Sequence, residues 1–126
     1  MENQARRLIT AGILSLFLVL SSSAQKKELL SDPAAIEARV VADLDKHQQS
    51  EDWAKWLEKN PVKGMFAFDI TVWNKGEVVS VRALGRSDGA EIKHQNALKD
   101  YIKQFKFHFK VPKGKRYKVT YNFMIE

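Results

Sequence analysis

Residue types that could perform chemistry are sparse in this chain of 126 residues, which contains no cysteine. His47, His94 and His108 fall in three different predicted elements, and none stands at metal-ligand spacing from another histidine or a carboxylate. Ser87, His94 and Asp100 carry the groups of a catalytic triad, but no nucleophile-elbow sequence surrounds the serine. The sequence therefore predicts a non-enzymatic protein with no metal and no other cofactor.

The N-terminus has the three-part pattern of a secretory signal peptide. Arg6 and Arg7 precede an uncharged stretch, residues 8–23, and small residues end at Ala24. As a helix, the apolar part of this stretch would span about 20 Å, which is short of the roughly 30 Å hydrocarbon core of a bilayer. We predict that residues 1–24 are cleaved and that the product is periplasmic. The alternative is an uncleaved N-terminus anchored in the inner membrane.

Basic side chains are concentrated near the C-terminus of a chain whose net charge is +6. No acidic residue occurs from residue 103 to residue 118. The predicted basic patch consists of Lys103, Lys106, Lys110, Lys113, Lys115 and Arg116. Because export separates the protein from nucleic acid, we expect no nucleic-acid partner and consider a weak contact with an anionic envelope surface. The alternative is that these lysines deter aggregation at the edge of a sheet.

Residues 25–60 are predicted to form a helical N-terminal extension made of two short helices. Asp32 and Pro33 are typical of a first helix start, and Ser50 followed by two acids is typical of a second. Trp53 and Trp56 lie on one face of that second helix. We interpret the two indoles as core packing rather than as a ligand platform.

Residues 61–126 predict a small sheet covered by a helix. Residues 66–72 alternate apolar and polar side chains, a turn follows at Asn74-Lys75-Gly76, and residues 78–84 predict the second strand of a hairpin. Residues 90–107 have helical apolar spacing, and a strongly alternating strand ends the chain. The predicted class is α+β: a ββαβ unit with a small antiparallel sheet and helices on one face, preceded by two short helices.

Several short motifs follow one another in the second half of the chain. They are Gly64-x-Phe66-x-Phe68-x-Ile70, Gly76-x-Val78, Ser87-x-Gly89, Asn96-Ala97-Leu98, Phe105-Lys106-Phe107, Pro112, Gly114 and Val119-x-Tyr121-x-Phe123. In this order and spacing they resemble the C-terminal domain of TonB, the energy transducer of the Gram-negative envelope. The resemblance covers about half of the chain, residues 64–126.

The segment before this half departs from that family. TonB proteins carry an uncleaved anchor, a long proline-rich spacer and a Gln-Pro-x-Tyr-Pro element. Here Pro33 is the only proline in residues 25–60, and the residue before Pro61 is not a tyrosine. Without a tether or a spacer, the chain is not expected to transmit force across the periplasm. We expect a standalone, exported version of the domain.

The resemblance implies a non-enzymatic binding or adaptor module whose exposed last strand takes up an extended segment of an envelope protein or peptide by strand addition. The candidate edge consists of Tyr117, Lys118, Val119, Thr120, Tyr121, Asn122 and Phe123. One alternative is a self-associating structural protein that forms a homodimer through the same edge. Another is a small periplasmic enzyme or inhibitor with a cleft between the N-terminal helices and the sheet, containing His94 or His108 beside a carboxylate.

Overall fold

The computed structural model describes residues 26–126, so the predicted signal peptide lies outside the described residues. The elements are β1 (Glu28–Leu29), α1 (Pro33–His47), α2 (Glu51–Lys59), β2 (Gly64–Trp73), β3 (Glu77–Arg86), α3 (Ile92–Lys103), β4 (Phe109–Lys110) and β5 (Arg116–Ile125). The mixed α+β class is confirmed. Within residues 26–126, every helix is too short or too polar to cross a bilayer.

The main sheet has three antiparallel strands in the order β3-β2-β5. The predicted hairpin is confirmed: Asn74 and Gly76 both adopt positive φ, and the Gly76 N–H donates to the Trp73 carbonyl at 3.2 Å to close the turn. Among residues 26–126, the first strand of the hairpin is central and the last strand pairs with β2 alone. The expected position of the last strand at a sheet edge is confirmed.

Capping side chains start both N-terminal helices as predicted. Asp32 accepts a hydrogen bond from the Ala35 N–H, and Ser50 accepts one from the Trp53 N–H, each at 3.2 Å. Trp53 is only 5% exposed, and its indole stacks on that of Trp56 with ring centroids 5.4 Å apart. The interpretation of Trp53 as a core residue is confirmed.

Within residues 26–126, a single hydrophobic core joins the three helices to one face of the sheet. Its helical members include Ile36, Val40, Leu44, Trp53, Leu98 and Ile102, and its strand members include Phe66, Phe68, Ile70, Val72, Val119, Tyr121 and Phe123. The N-terminal helices therefore pack in the same core as the sheet. The opposite face of the sheet exposes Met65 and Met124, which are cross-strand neighbours.

Two parts of the fold differ from the sequence prediction. The last helix spans Ile92–Lys103 instead of residues 90–107, and the N-terminal extension also contains the two-residue strand β1, which pairs in parallel with β4. Phe107 and Phe109 are fully buried and alternate with exposed residues, so this segment follows a twofold period. The Phe107 N–H donates to the Gly76 carbonyl at 2.9 Å, which a helical continuation would prevent.

Candidate functional site

All seven residues of the candidate edge lie in β5. Ten successive residue pairs join β5 to β2 without a register shift, from Gly64 opposite Ile125 to Trp73 opposite Arg116. Alternate side chains, including Tyr121, point into the core, and the intervening ones are exposed. The edge is therefore a strand with regular pairing over its whole length.

The hydrogen bonds of Met65 reveal which main-chain groups of β5 point away from the sheet. The Met65 N–H donates to Ser87 Oγ, and the Met65 carbonyl accepts from the Ser87 N–H, each at 3.0 Å, on the β3 side. Because successive residues of a strand direct these groups to opposite sides, Gly64 and Phe66 direct theirs toward β5. The residues opposite them, Ile125 and Phe123, therefore exchange the ladder hydrogen bonds.

The same alternation continues along β5 and leaves every second residue facing outward. The outward main-chain groups belong to Arg116, Lys118, Thr120, Asn122 and Met124, and these five residues define the β5 edge. In the described part of the chain, no other main-chain or side-chain group hydrogen-bonds to these amides and carbonyls. These outward groups repeat about every 7 Å along the strand, which matches the spacing of the hydrogen-bonding groups on an added strand.

The other edge of the sheet, β3, is built differently. Its register against β2 shifts twice, between Ala67 and Phe68 and between Thr71 and Val72. Leu84 has no partner on β2 at the first shift. Helix α3 also packs against β3. Bulges bend a strand and interrupt its row of hydrogen-bonding groups, so β3 offers no continuous template for another chain.

Asp69 links the two edges across the exposed face of the sheet. It lies on the central strand, is 8% exposed, and accepts hydrogen bonds from Thr120 Oγ1 at 2.7 Å and from Arg82 Nη2 at 3.0 Å. The Thr120 hydrogen bond, followed by that of Arg82, holds the pKa of Asp69 below its ordinary value. This residue was not among the predicted site residues. Its signal in the sequence is an acid inside an otherwise strand-like run, but its partners depend on the register.

The predicted basic patch is divided into separate groups. Lys103 lies at the end of α3, and Lys113 and Lys115 lie in the turn before β5. The Arg116 guanidinium lies 5.1 Å from the centroid of the Trp73 ring, an arrangement suited to a cation–π interaction. The remaining two predicted members, Lys106 and Lys110, line a concavity. Three lysines from elsewhere in the chain, Lys26, Lys27 and Lys75, line it with them.

A second concavity, of about 700 Å³, bears on the enzyme alternative. It is lined by Arg39, Asp43, Lys46, His47, Gln49, Ser50, Phe105 and His108. Ser50 Oγ accepts the helix-capping hydrogen bond, and His47 Nε2 lies 2.6 Å from the Tyr101 hydroxyl. Within residues 26–126, no hydrogen bond joins a hydroxyl, a histidine and a carboxylate of this concavity into a relay.

The other histidine considered for catalysis, His94, lies outside that concavity. Its Nε2 is 3.5 Å from Glu91, the residue that precedes the same helix, and its Nδ1 is buried without a hydrogen-bond partner among the described residues. The same part of the chain contains no group of three or more histidine or carboxylate side chains placed to hold a metal ion.

The chain matches no protein-family model, no curated protein and no solved structure. Of the predicted site residues, the structure keeps the seven edge residues in one strand and separates the six basic ones.

Proposed function

We propose that this chain is an exported, non-enzymatic binding module of the cell envelope that captures an extended segment of a partner protein. The segment adds as a fourth strand beside β5. The observation that carries the proposal is the uninterrupted row of outward main-chain groups from Arg116 to Met124. Main-chain pairing supplies affinity in this mode, and the alternate side chains supply specificity.

The contrast between the two edges supports the proposal that β5 binds a partner strand. A long, regular, uncovered edge strand promotes aggregation, and proteins usually interrupt it with bulges or cover it. The sheet follows that rule at β3 and departs from it at β5. Each main-chain hydrogen bond to a partner would contribute about 1 kcal/mol net, so several of them would hold a short extended segment.

We further propose that the domain is a standalone relative of the TonB C-terminal domain and that it is periplasmic after removal of residues 1–24. The chain order β2, β3, α3, β5, with the last strand at the rim, is compatible with that resemblance. The signal-peptide pattern of the N-terminus supports export.

Photo-crosslinking of the full-length protein in its native envelope tests the strand-addition proposal. A photoreactive side chain is placed at Lys118, on the β5 edge, and in a second protein at Leu84, on the other edge. We expect a discrete partner to be linked from position 118 and not from position 84. Asn122→Pro, which removes one outward N–H, should abolish the link, whereas Asn122→Ala should retain it. Equal linking from both edges, or a link that survives Asn122→Pro, would contradict the proposal.

A second candidate is self-association through the same edge. If two copies of β5 pair antiparallel about Thr120, Arg116 lies opposite Met124 and Lys118 lies opposite Asn122, so no two like charges face each other. Sedimentation would then show a dimer whose dissociation is promoted by Asn122→Pro, and no other partner would be crosslinked from position 118. A monomeric protein at all concentrations would exclude this candidate.

A further inference from the structure

Five lysines from three separate stretches of the chain surround one concavity of about 620 Å³. Among residues 26–126, the lysine concavity is lined by Lys26, Lys27, Lys75, Lys106 and Lys110. It is formed by the turn between β2 and β3, the segment around β4, and the residues that lead into β1. It shares no residue with the β5 edge.

Main-chain contacts bring these lysines together, so the convergence does not depend on flexible side chains alone. A Cβ at Gly76 would lie 2.5 Å from the carbonyl oxygens of both Phe107 and Phe109, so glycine alone permits the close approach of the turn to this segment. Lys106 also forms an antiparallel bridge with Glu77. Lys75 is thereby held beside Lys106.

Lys27 attaches the third stretch of chain. Its ammonium group donates to the Lys75 carbonyl at 2.7 Å and to the Phe107 carbonyl at 2.9 Å. An ammonium group has three N–H donors, so one remains for a ligand. Lys27 thus positions the N-terminal stretch and contributes a fixed positive charge to the concavity.

No carboxylate forms an ion pair with the ammonium groups of the lysine concavity in the described part of the chain. None of the ion pairs formed by residues 26–126 includes any of its five ammonium groups. Glu77 lines a neighbouring concavity that shares Lys75 and Lys110, but its carboxylate forms an ion pair with neither. Convergent like charges repel one another and raise the local positive potential, which a bound anion would relieve.

We propose that the lysine concavity binds an anion with several phosphate groups. Lysine ammonium groups bind phosphate as compact point charges, and five of them converge on this concavity. Five cations in a space of about 620 Å³ suit a ligand with more than one phosphate group. The proposal is independent of strand capture by the β5 edge.

Titration of the full-length protein with inorganic tripolyphosphate tests the proposal, with citrate as a carboxylate probe of similar charge. The test variant combines Lys75→Gln, Lys106→Gln and Lys110→Gln, three exposed residues of the concavity. The matched control combines Lys59→Gln, Lys63→Gln and Lys115→Gln, which are also exposed, line none of this concavity and remove the same charge.

We expect tripolyphosphate to bind more tightly than citrate, the test variant to lose at least about tenfold in affinity, and the control to change less than about threefold. Equal losses in both variants, a preference for citrate, or no binding by the unmodified protein would overturn the proposal. Flotation with phosphatidylglycerol vesicles, compared with phosphatidylcholine vesicles, distinguishes the source of the phosphate. Binding competed by tripolyphosphate indicates lipid headgroups, and tripolyphosphate binding without flotation indicates a soluble anion.

Discussion

The two edges of one small sheet differ in regularity rather than in length. Both edge strands have ten residues and both pair with the same central strand. β3 is interrupted by two register shifts and lies against α3, whereas β5 keeps one register from end to end. The comparison teaches that a sheet can protect one edge with bulges and leave the other as a template.

The variants with the largest expected effect on stability test which main-chain groups of β5 face the sheet. Val119→Pro removes a ladder N–H and should destabilise the protein by about 3 kcal/mol or more beyond the loss caused by Val119→Ala. Lys118→Pro removes an outward N–H and should cost about 1 kcal/mol or less. Urea unfolding followed by tryptophan fluorescence measures both variants. Equal losses of stability in the two proline variants would contradict the assigned alternation of inward and outward main-chain groups along β5.

The turn that leads into β3 should be the next most sensitive position. At Gly76 φ is +86° and a Cβ would meet two carbonyl oxygens at 2.5 Å, so Gly76→Ala should cost about 2 kcal/mol or more. Gly114, at the turn before β5, has φ +79° and open space around it, so Gly114→Ala should cost only about 1 kcal/mol. Thermal unfolding of the two variants provides the comparison. A smaller loss at Gly76 than at Gly114 would show that the close approach is not formed.

Asp69 connects the two edges and should make their pairing sensitive to acid. Because the folded-state pKa of Asp69 is lowered from its ordinary 3.8, its contribution to stability is fully present above that value. The contribution is lost as pH falls through the lowered pKa. Melting temperatures of the wild type and Asp69→Asn should therefore differ at neutral pH and converge as the pH falls through the lowered pKa. If the melting temperatures of the wild type and Asp69→Asn changed in parallel with pH, the assigned contribution of Asp69 to strand pairing would be wrong.

The smallest effect is expected on the bulged edge. Leu84 is 46% exposed and unpaired on β2, so Leu84→Thr should change stability by less than about 0.5 kcal/mol. The same variant should leave partner capture by β5 unchanged. Crosslinking from position 118 and urea unfolding check the two statements. A loss of capture would place the binding surface on both edges and end the distinction between them.

The sequence was informative where one period dominated. Twofold alternation predicted the last strand, the turn at Gly76 predicted the hairpin, and capping residues predicted the starts of two helices. The boundary at Lys103 was missed because Phe105 continues a helical apolar stripe, while Phe107 and Phe109 are decided by contacts with the turn and with β1. The bulges in β3 depend on pairing and were not readable from its residues.

The predicted basic patch shows the same limit of sequence-based prediction, here for charged residues. Nearness in sequence grouped Lys103 with Lys106, but the fold places Lys106 beside Lys27 and Lys75. The two hydrogen bonds of the Lys27 ammonium group join residues that are 48 and 80 positions apart. Such long-range convergence is set by tertiary packing, which local charge patterning does not encode.

Amide hydrogen exchange of the full-length protein, resolved by residue with NMR, tests the open β5 edge most directly. The structure predicts slow exchange at Val119 and Tyr121, whose amides face β2, and fast exchange at Thr120 and Asn122, whose amides face outward. Addition of the captured partner segment should slow the second pair without changing the first. Uniform protection along the strand in the absence of a partner would contradict the open edge and the strand-capture function that depends on it.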